Sequence, residues 1–576
     1  MWFHVLACDY DGTLATAGAM APETTAALRR VRESGRRLLL LTGRRLDDLL
    51  ATCPEIDCFD LVVAENGAML FEPAAKKADA LADPPPPVFL DALARLGVPF
   101  STGRVIVSTV VPYEVAILAA IKRLGLELQI VFNRDAVMVL PAGVSKESGL
   151  RAALERLGVS PHNTVGIGDA ENDHAFLGCA GFSTAVANAV PALAEAVQLV
   201  TAASDGAGVR ELIDRLLQTD LEEFRLLLRA RTITLGTLED GEPLTYPARG
   251  PGILITGASG SGKSTLAGLF AERLVRQGYV ICLLDPEGDF RRLAEHEGIV
   301  VLTSESGTED ARALEVERLL RHRSTSVAID LSALDREERV RAAASFLHAV
   351  HRLRAQTGAP HWLIVDEAHH LFPPGGSPAQ EMFDPEWSGA CLITSEPERV
   401  APEVLAIVGH MFATSLPAGG MALIPPGGVP GDDLEPGEAL DISLALGKAT
   451  SARRFRVARR DTHHRRHVKK YATGRLPPEC SFRFRGPHGA LDLVAHNLET
   501  FTMLAKGVDD ATWLHHLGNG DITGWLRGQI KDADLADEVE ALAQGRDAAG
   551  TRRSVLEAIA RRYAPVARAD EERRSD

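Results

Sequence analysis

The stretch Gly257-Ala258-Ser259-Gly260-Ser261-Gly262-Lys263-Ser264-Thr265 constrains this chain more than any other. It follows the apolar run Gly252-Ile253-Leu254-Ile255-Thr256 and has the pattern G-x-x-x-x-G-K-[ST]. That pattern demands a short buried strand on one side and the start of a helix on the other. Gly257, Gly260 and Gly262 let consecutive backbone N–H groups close around phosphate oxygens, and the helix N-terminus adds the positive end of its dipole. Lys263 is placed to reach the outer phosphates, and Ser264, with Thr265 beside it, to hold Mg²⁺.

A chain of 576 residues has room for three or four domains of ~150 residues, so this loop accounts for only part of it. The formal net charge of −16 argues against a protein that coats nucleic acid through its overall charge. Cysteines 8, 53, 58, 179, 282, 391 and 480 form no C-x-x-C pair, which favours reduced thiols over a disulfide frame or a zinc site. Met1-Trp2-Phe3-His4 leads directly into a charged motif with no leader pattern. No apolar run approaches the ~20 residues that span a bilayer. A cytoplasmic protein without a membrane partner is expected.

Before the loop, polar residues recur at the ends of apolar runs. Phe3–Cys8 ends in Asp9-Tyr10-Asp11-Gly12-Thr13; Arg37–Leu41 ends in Thr42-Gly43-Arg44; Asp60–Ala64 ends in Glu65-Asn66-Gly67-Ala68. Ser145-Lys146-Glu147 opens a helix, and Thr164–Ile167 runs into Gly168-Asp169-Ala170-Glu171-Asn172-Asp173. Strands that end in polar residues and alternate with helices predict an open parallel sheet with its site at the strand C-terminal ends. Asp9 and Asp11, two apart at a strand mouth, can share one metal.

These motifs, in this order, make residues 1–218 resemble the haloacid-dehalogenase phosphatases, in the Cof-like branch with an α/β cap. The resemblance implies that Asp9 is a nucleophile forming an aspartyl-phosphate and that Asp11 protonates the leaving alcohol and then activates water. It implies that Thr42 and Lys146 hold the transferring phosphoryl group. Asp9, the main-chain carbonyl of Asp11 and Asp169 would ligate Mg²⁺, with Asp173 supporting. The cap is expected at about 72–144, after Gly67 and before Lys146. A small cap that excludes water favours a small phosphorylated metabolite, such as a sugar phosphate or a phosphoglycolate-like acid.

After the loop, Tyr279–Leu284 ends in Asp285-Pro286-Glu287-Gly288-Asp289, His361–Val365 in Asp366-Glu367-Ala368-His369, and Ala390–Ile393 in Thr394-Ser395. An acidic pair on an apolar strand suits nucleotide hydrolysis: Asp366 orients Mg²⁺ and its waters, and Glu367 polarises the attacking water. With Ile329-Asp330-Leu331 and Pro436-Gly437-Glu438-Ala439, these residues make 225–455 resemble the HerA/FtsK-like P-loop ATPases. ATP is then the implied ligand and Thr394 the implied γ-phosphate sensor. The N-terminal β-barrel of that family is reduced here to Arg231–Gly250. Such ATPases complete the site with an arginine from a neighbouring subunit, which implies a homo-oligomer. Arg453, Arg454, Arg456 and Arg459 are the candidates.

The tail, 456–576, begins in a basic run. Arg453 to Lys470 holds nine Lys or Arg together with His463, His464 and His467, and reads as a solvated linker or a nucleic-acid contact. Helical periodicity follows, with Trp513 and Trp525 expected at the surface. The fold class is thus α/β: a Rossmann-like domain with an inserted small α/β cap, a P-loop ATPase α/β domain, and a small mainly helical C-terminal domain. The leading reading is a Mg²⁺-dependent phosphatase fused to an ATP-hydrolysing domain. Alternatives are a nucleic-acid-linked ATPase with the phosphatase as effector, a kinase–phosphatase pair acting on nucleic-acid ends, and a nucleotide-gated scaffold.

Overall fold

The computed structural model describes residues 1–133, 135–227, 232–305, 307–322, 325–385, 387–415, 434–445, 448–460, 471, 476–487, 489, 491–530, 532–542 and 547–563. Two large sheets organise them. In the first, the order is Leu199–Val200, Phe182–Ala185, Thr164–Gly168, Val5–Asp9, Arg37–Leu41, Leu61–Ala64, Met69–Glu72 and Lys77–Ala80. The strands from Leu199–Val200 to Leu61–Ala64 are parallel. They read as unbroken apolar runs because helices cover both faces.

The last two strands are antiparallel additions to this sheet, with Val63 opposite Leu70 and Phe71 opposite Ala78. Residues 69–80 therefore belong to the core sheet, which corrects the expected start of the cap at about 72. The apolar Met69-Leu70-Phe71 finds a partner in the edge strand, and the cap starts only beyond the hairpin. It consists of helices Pro87–Arg95 and Glu114–Leu124 on a four-stranded antiparallel sheet between Ser101 and Pro141.

The second sheet runs Pro243–Pro247, Thr232–Leu238, Lys448–Val457, Glu438–Ala445, Val408–Ala413, Gly252–Thr256, Ala390–Thr394, Trp362–Val365, Ile281–Asp285, Ser326–Asp330 and Ile299–Thr303. From Val408–Ala413 onward it is parallel. The other four strands are antiparallel. The hairpin 232–247, expected as the remnant of a barrel, forms the edge of this sheet instead, with Gly236 opposite Val457. Between the phosphate-loop strand and the Asp366-Glu367 strand lies Ala390–Thr394, which brings Thr394 between the two motifs.

The two sheets meet at the N-terminal ends of their strands. Arg249 lies over the rings of Trp2 and Phe3 and pairs with Glu222 at 3.1 Å. His162 packs face to face on Tyr279 and edge-on to His361. His162 Nε2 is 2.9 Å from the carbonyl of Gln277. All of these residues but Glu222 shortly precede a strand: Val5–Asp9, Thr164–Gly168, Gly252–Thr256, Ile281–Asp285 or Trp362–Val365. One apolar cluster runs without a break from Trp2 to Phe270, Trp362 and Phe455. Both sets of strand C-terminal ends consequently face away from the seam. A five-residue strand spans roughly 16 Å, so each set lies about one strand length from the seam.

Downstream, helices Leu498–Gly507, Asp510–Gly518, Asp521–Gly528, Ala533–Leu542 and Ala548–Tyr563 pack with the hairpin of Phe482–Phe484 and Leu493–Ala495. Trp513 and Trp525 are buried here, not exposed as expected. Each indole N–H has a partner, Thr551 Oγ1 at 3.1 Å and the Cys480 carbonyl at 2.9 Å, so the amphipathic ring can go inside. His463, His464, His467 and the rest of 461–470 lie outside the described residues. No helix among the described residues is long and apolar enough to cross a membrane.

Candidate active sites

Asp9 ends the central strand of the first sheet and is buried. Facing it is Lys146, the first residue of helix Lys146–Leu157, whose start is fixed by a reciprocal cap between Ser145 and Ser148. The Lys146 ammonium lies 2.5 Å from Asp9 Oδ1 and 2.6 Å from Asp173 Oδ1. Asp173 Oδ2 accepts the main-chain N–H groups of Asp169 and Ala170, so this carboxylate fixes both the lysine and the loop. Burial would pull Lys146 down, but Asp173 and Asp9 outweigh it and hold the ammonium well above its ordinary value. Asp9 is pushed well above its ordinary value, by burial first and then by Asp173, against the pull of Lys146. Three carboxylates facing one ammonium leave the site short of positive charge.

Carboxylate oxygens of Asp9, Asp169 and Asp173 lie within 4.8 Å of one another, as donors to one hard cation do. Thr42 is buried at the end of Arg37–Leu41, and its Oγ1 accepts the Arg44 N–H. Asp11 stands apart from this group. It is held by Arg44 through two bonds of 2.6 and 2.7 Å. The cap rests on the core through Glu65, whose carboxylate accepts the N–H groups of Arg104, Val105 and Ile106 at 2.8 to 3.0 Å. A Cβ at Gly103 would stand 2.5 Å from that carboxylate, so a side chain there would push the carboxylate out of these bonds.

At the second sheet the loop Gly257–Gly262 leads into helix Lys263–Arg276, with Gly262 at φ +106° as its cap. Lys263 folds back on the carbonyls of Gly257 and Ala258 at 3.0 and 3.1 Å. Asp366 is buried at the end of its strand, and burial, then Asp285, raise its carboxyl well above the ordinary range. Glu367 sits at φ +43°, a conformation that side chains beyond glycine adopt at a cost. Burial raises its carboxyl and Lys263 lowers it, with the net shift upward. Thr394 Oγ1 is 2.9 Å from His369 Nδ1. Asp285 caps its own turn by accepting the N–H groups of Gly288, Asp289 and Phe290, and burial raises it to about 8.

A family profile described as haloacid dehalogenase-like hydrolase matches residues 6–84 and 119–213. A second, described as AAA ATPase domain, matches 242–388. A phosphoglycolate phosphatase of Methanothermobacter thermautotrophicus is 30% identical over 222 residues, 37% of this chain and 99% of that protein. The chain belongs to the haloacid dehalogenase-like hydrolases. Phosphoglycolate phosphatase 2 of Saccharolobus solfataricus is 29% identical, covering 37% of this chain and 92% of its own length. A phosphoglycolate phosphatase of Halorubrum lacusprofundi is 33% identical over 34% of this chain and 91% of its own length. This haloacid dehalogenase-like hydrolase is a phosphatase that also carries an AAA ATPase domain.

Two residues of the hydrolase site were passed over in the sequence. Arg44 and Glu65 stood inside quoted motifs, yet their partners, Asp11 and the cap loop, are distant along the chain, and no spacing rule links them. Three of the four arginines proposed to act between subunits are engaged within their own chain: Arg453 with Asp441 at 2.6 Å, Arg454 and Arg456 with Glu438 at 3.4 Å. Arg459 is exposed, and Arg460 is buried against Glu272 at 2.8 Å.

Proposed function

We propose that this hydrolase cleaves a small phosphate monoester bearing a carboxylate, with phosphoglycolate as the simplest case, and that its second domain hydrolyses ATP. The observation that carries the reading is the buried group of Asp9, Lys146, Asp169 and Asp173 beneath a docked cap. The names of the relatives support the choice of substrate. An Asp9 oxygen attacks phosphorus, the bond from phosphorus to the ester oxygen breaks, and Asp11 gives the departing oxygen its proton. Water, giving its proton to Asp11, then attacks the aspartyl-phosphate; the bond from phosphorus to Asp9 breaks and inorganic phosphate leaves. Lys146 offsets charge on the phosphoryl oxygens, and Thr42 donates a hydrogen bond to them.

Asp9, Asp169 and the Asp11 carbonyl would hold Mg²⁺, which fits the crowding of carboxylates; when bound it neutralises the charge that opposes attack on a phosphate dianion. In the ATPase domain, Gly257, Gly260, Gly262, Lys263 and Thr265 would cradle phosphates. Ser264 and Asp366 would hold a second Mg²⁺, and Glu367 would take the proton of the attacking water. The back-to-back sheets favour two independent substrates, since no small product passes directly between sites on opposite ends. They also weigh against a kinase–phosphatase pair sharing one polymer end. We further infer that the ATPase domain self-associates, with an arginine from a neighbour completing each site. A phosphatase screen of the intact chain over small monoesters, with Mg²⁺ and with chelator, tests the main reading. Strong Mg²⁺-dependent release from phosphoglycolate is expected; turnover only of carboxylate-free esters would reject the substrate.

A further inference from the structure

The Asp11–Arg44 pair is more than a surface ion pair. Arg44 Nη2 donates to Asp11 Oδ1 at 2.6 Å and Nε donates to Oδ2 at 2.7 Å, so one guanidinium fork occupies both oxygens. In this arrangement the carboxylate is turned to the guanidinium and held there through both oxygens. Arg44 is itself well fixed. Its main-chain N–H donates to Thr42 Oγ1, its carbonyl accepts the Glu65 N–H at 2.9 Å, its Nη1 donates to Thr52 Oγ1 at 2.9 Å, and its guanidinium lies 5.3 Å from the centre of the Tyr10 ring. The pair remains open to solvent: 27% of the Arg44 side chain and 43% of the Asp11 side chain are exposed. A small anion can therefore reach it.

Other cations nearby are held by groups other than Asp11. Lys146 is shared by Asp9 and Asp173. Arg45 is held by both oxygens of Asp48 and by the Thr102 carbonyl of the cap. A fork that already accepts one planar carboxylate is matched in shape and charge to accept another.

We propose that Arg44 is an exchange latch that makes the hydrolase specific for monoesters carrying a carboxylate. The substrate carboxylate takes the fork, and Asp11 is released, takes up a proton from solvent and turns it to the ester oxygen. The proposal rests on the preceding reading, in which Asp11 serves the leaving group and the substrate carries a carboxylate. Ordinary binding of the tail would act on KM alone, whereas a latch also acts on kcat, because an ester without a carboxylate binds without freeing Asp11.

The test compares 2-phosphoglycolate with ethyl phosphate, a similar ester without the carboxylate, in wild type, Arg44→Gln and Arg44→Lys. In Arg44→Gln, kcat/KM for phosphoglycolate should fall by about 100-fold, the scale of a lost charge-assisted pair. The kcat for ethyl phosphate should rise, because Asp11 is no longer held. Arg44→Lys should restore phosphoglycolate only in part, since a point charge lacks the fork. Titration calorimetry in an Asp9→Asn background gives a readout without turnover. There Arg44→Gln should weaken phosphoglycolate by at least tenfold and ethyl phosphate by less than threefold.

Equal losses on both esters would overturn the latch and leave Arg44 as a residue that only positions Asp11. A wild-type enzyme that hydrolyses ethyl phosphate but not phosphoglycolate would instead sink the substrate reading. In that case the latch falls with it, whereas equal losses in an enzyme that does prefer phosphoglycolate overturn the latch alone.

Discussion

The imidazole of His162 lies flat on the ring of Tyr279, with 3.9 Å between centroids and 11° between planes. His162 precedes the strand that delivers Asp169, and Tyr279 precedes the strand that delivers Asp285. The stack therefore ties the floor of one catalytic sheet to the floor of the other. Coupling between the two centres must pass along strands and helices, since each lies at the strand ends away from the seam.

Separate mouths make the two activities separable by mutation. Asp9→Asn should abolish phosphatase activity, a loss of more than about 10³-fold, because a neutral amide oxygen is far too weak a nucleophile to replace the carboxylate. ATP hydrolysis by the same protein should stay within about twofold of wild type. Parallel phosphate-release and ATPase assays on one preparation check this, and a matching loss of both would show that the centres are not independent.

Glu367→Gln should retain ATP binding but lose hydrolysis, because the amide is isosteric and cannot accept the proton of the attacking water. Lys263→Ala should weaken nucleotide binding itself. Its ammonium rests on loop carbonyls, so it leaves them for a phosphate without unpacking the core. Fluorescent-nucleotide titration beside steady-state hydrolysis separates the two effects; wild-type turnover in Glu367→Gln would remove this glutamate as the base.

The seam should weaken in acid. Burial lowers His4 to about 4 and His361 well below its ordinary value of 6.5. Nε2 of each is buried without a hydrogen-bond partner among the described residues. Both rings are neutral when folded and take a proton below about 6.5 when unfolded. Stability is thus complete above that pH and is lost as pH falls from 6.5 towards 4, by about 3 kcal/mol for His4. Calorimetric melts at pH 7, 6 and 5 should show the decline, and His4→Asn should flatten it. A slope unchanged in that variant would assign the acid sensitivity elsewhere.

Much of the site geometry was legible before any coordinates, because the residues that form it end apolar runs. Asp9, Thr42, Asp169 and Asp366 each stand where a parallel strand opens, and Lys146 and Lys263 where a helix begins. What stayed hidden has no local signature. Trp2 and His162 precede apolar runs and Tyr279 and His361 open them, and nothing local to a strand's start says that it meets another sheet, so the seam they build could not be read. Trp513 and Trp525 looked like surface rings because an indole N–H needs a partner, and Thr551 and Cys480 supply one only after folding. The hairpin 69–80 was assigned to the cap because an antiparallel edge on a parallel sheet breaks the strand–helix alternation.

The assembly of the ATPase domain gives the last test. Arg453, Arg454 and Arg456 lie on a strand that is paired on both sides, and each is bound to an acid of its own chain. Arg460 is buried on Glu272 against the phosphate-loop helix, where it supports that helix rather than a neighbour. Arg459 lies between them and is exposed. If an arginine crosses between subunits, Arg459 is the one, among the described residues of this stretch, that extends outward without breaking an observed ion pair. Arg459→Ala should then lower ATP turnover by about 10³-fold, the low end for such an arginine, while nucleotide binding persists. Glu367→Gln, which holds ATP without cleaving it, should sediment as an oligomer with Mg²⁺-ATP and as a smaller species without it. A monomer under both conditions, together with wild-type turnover that does not depend on protein concentration, would rule out an arginine supplied by a neighbour.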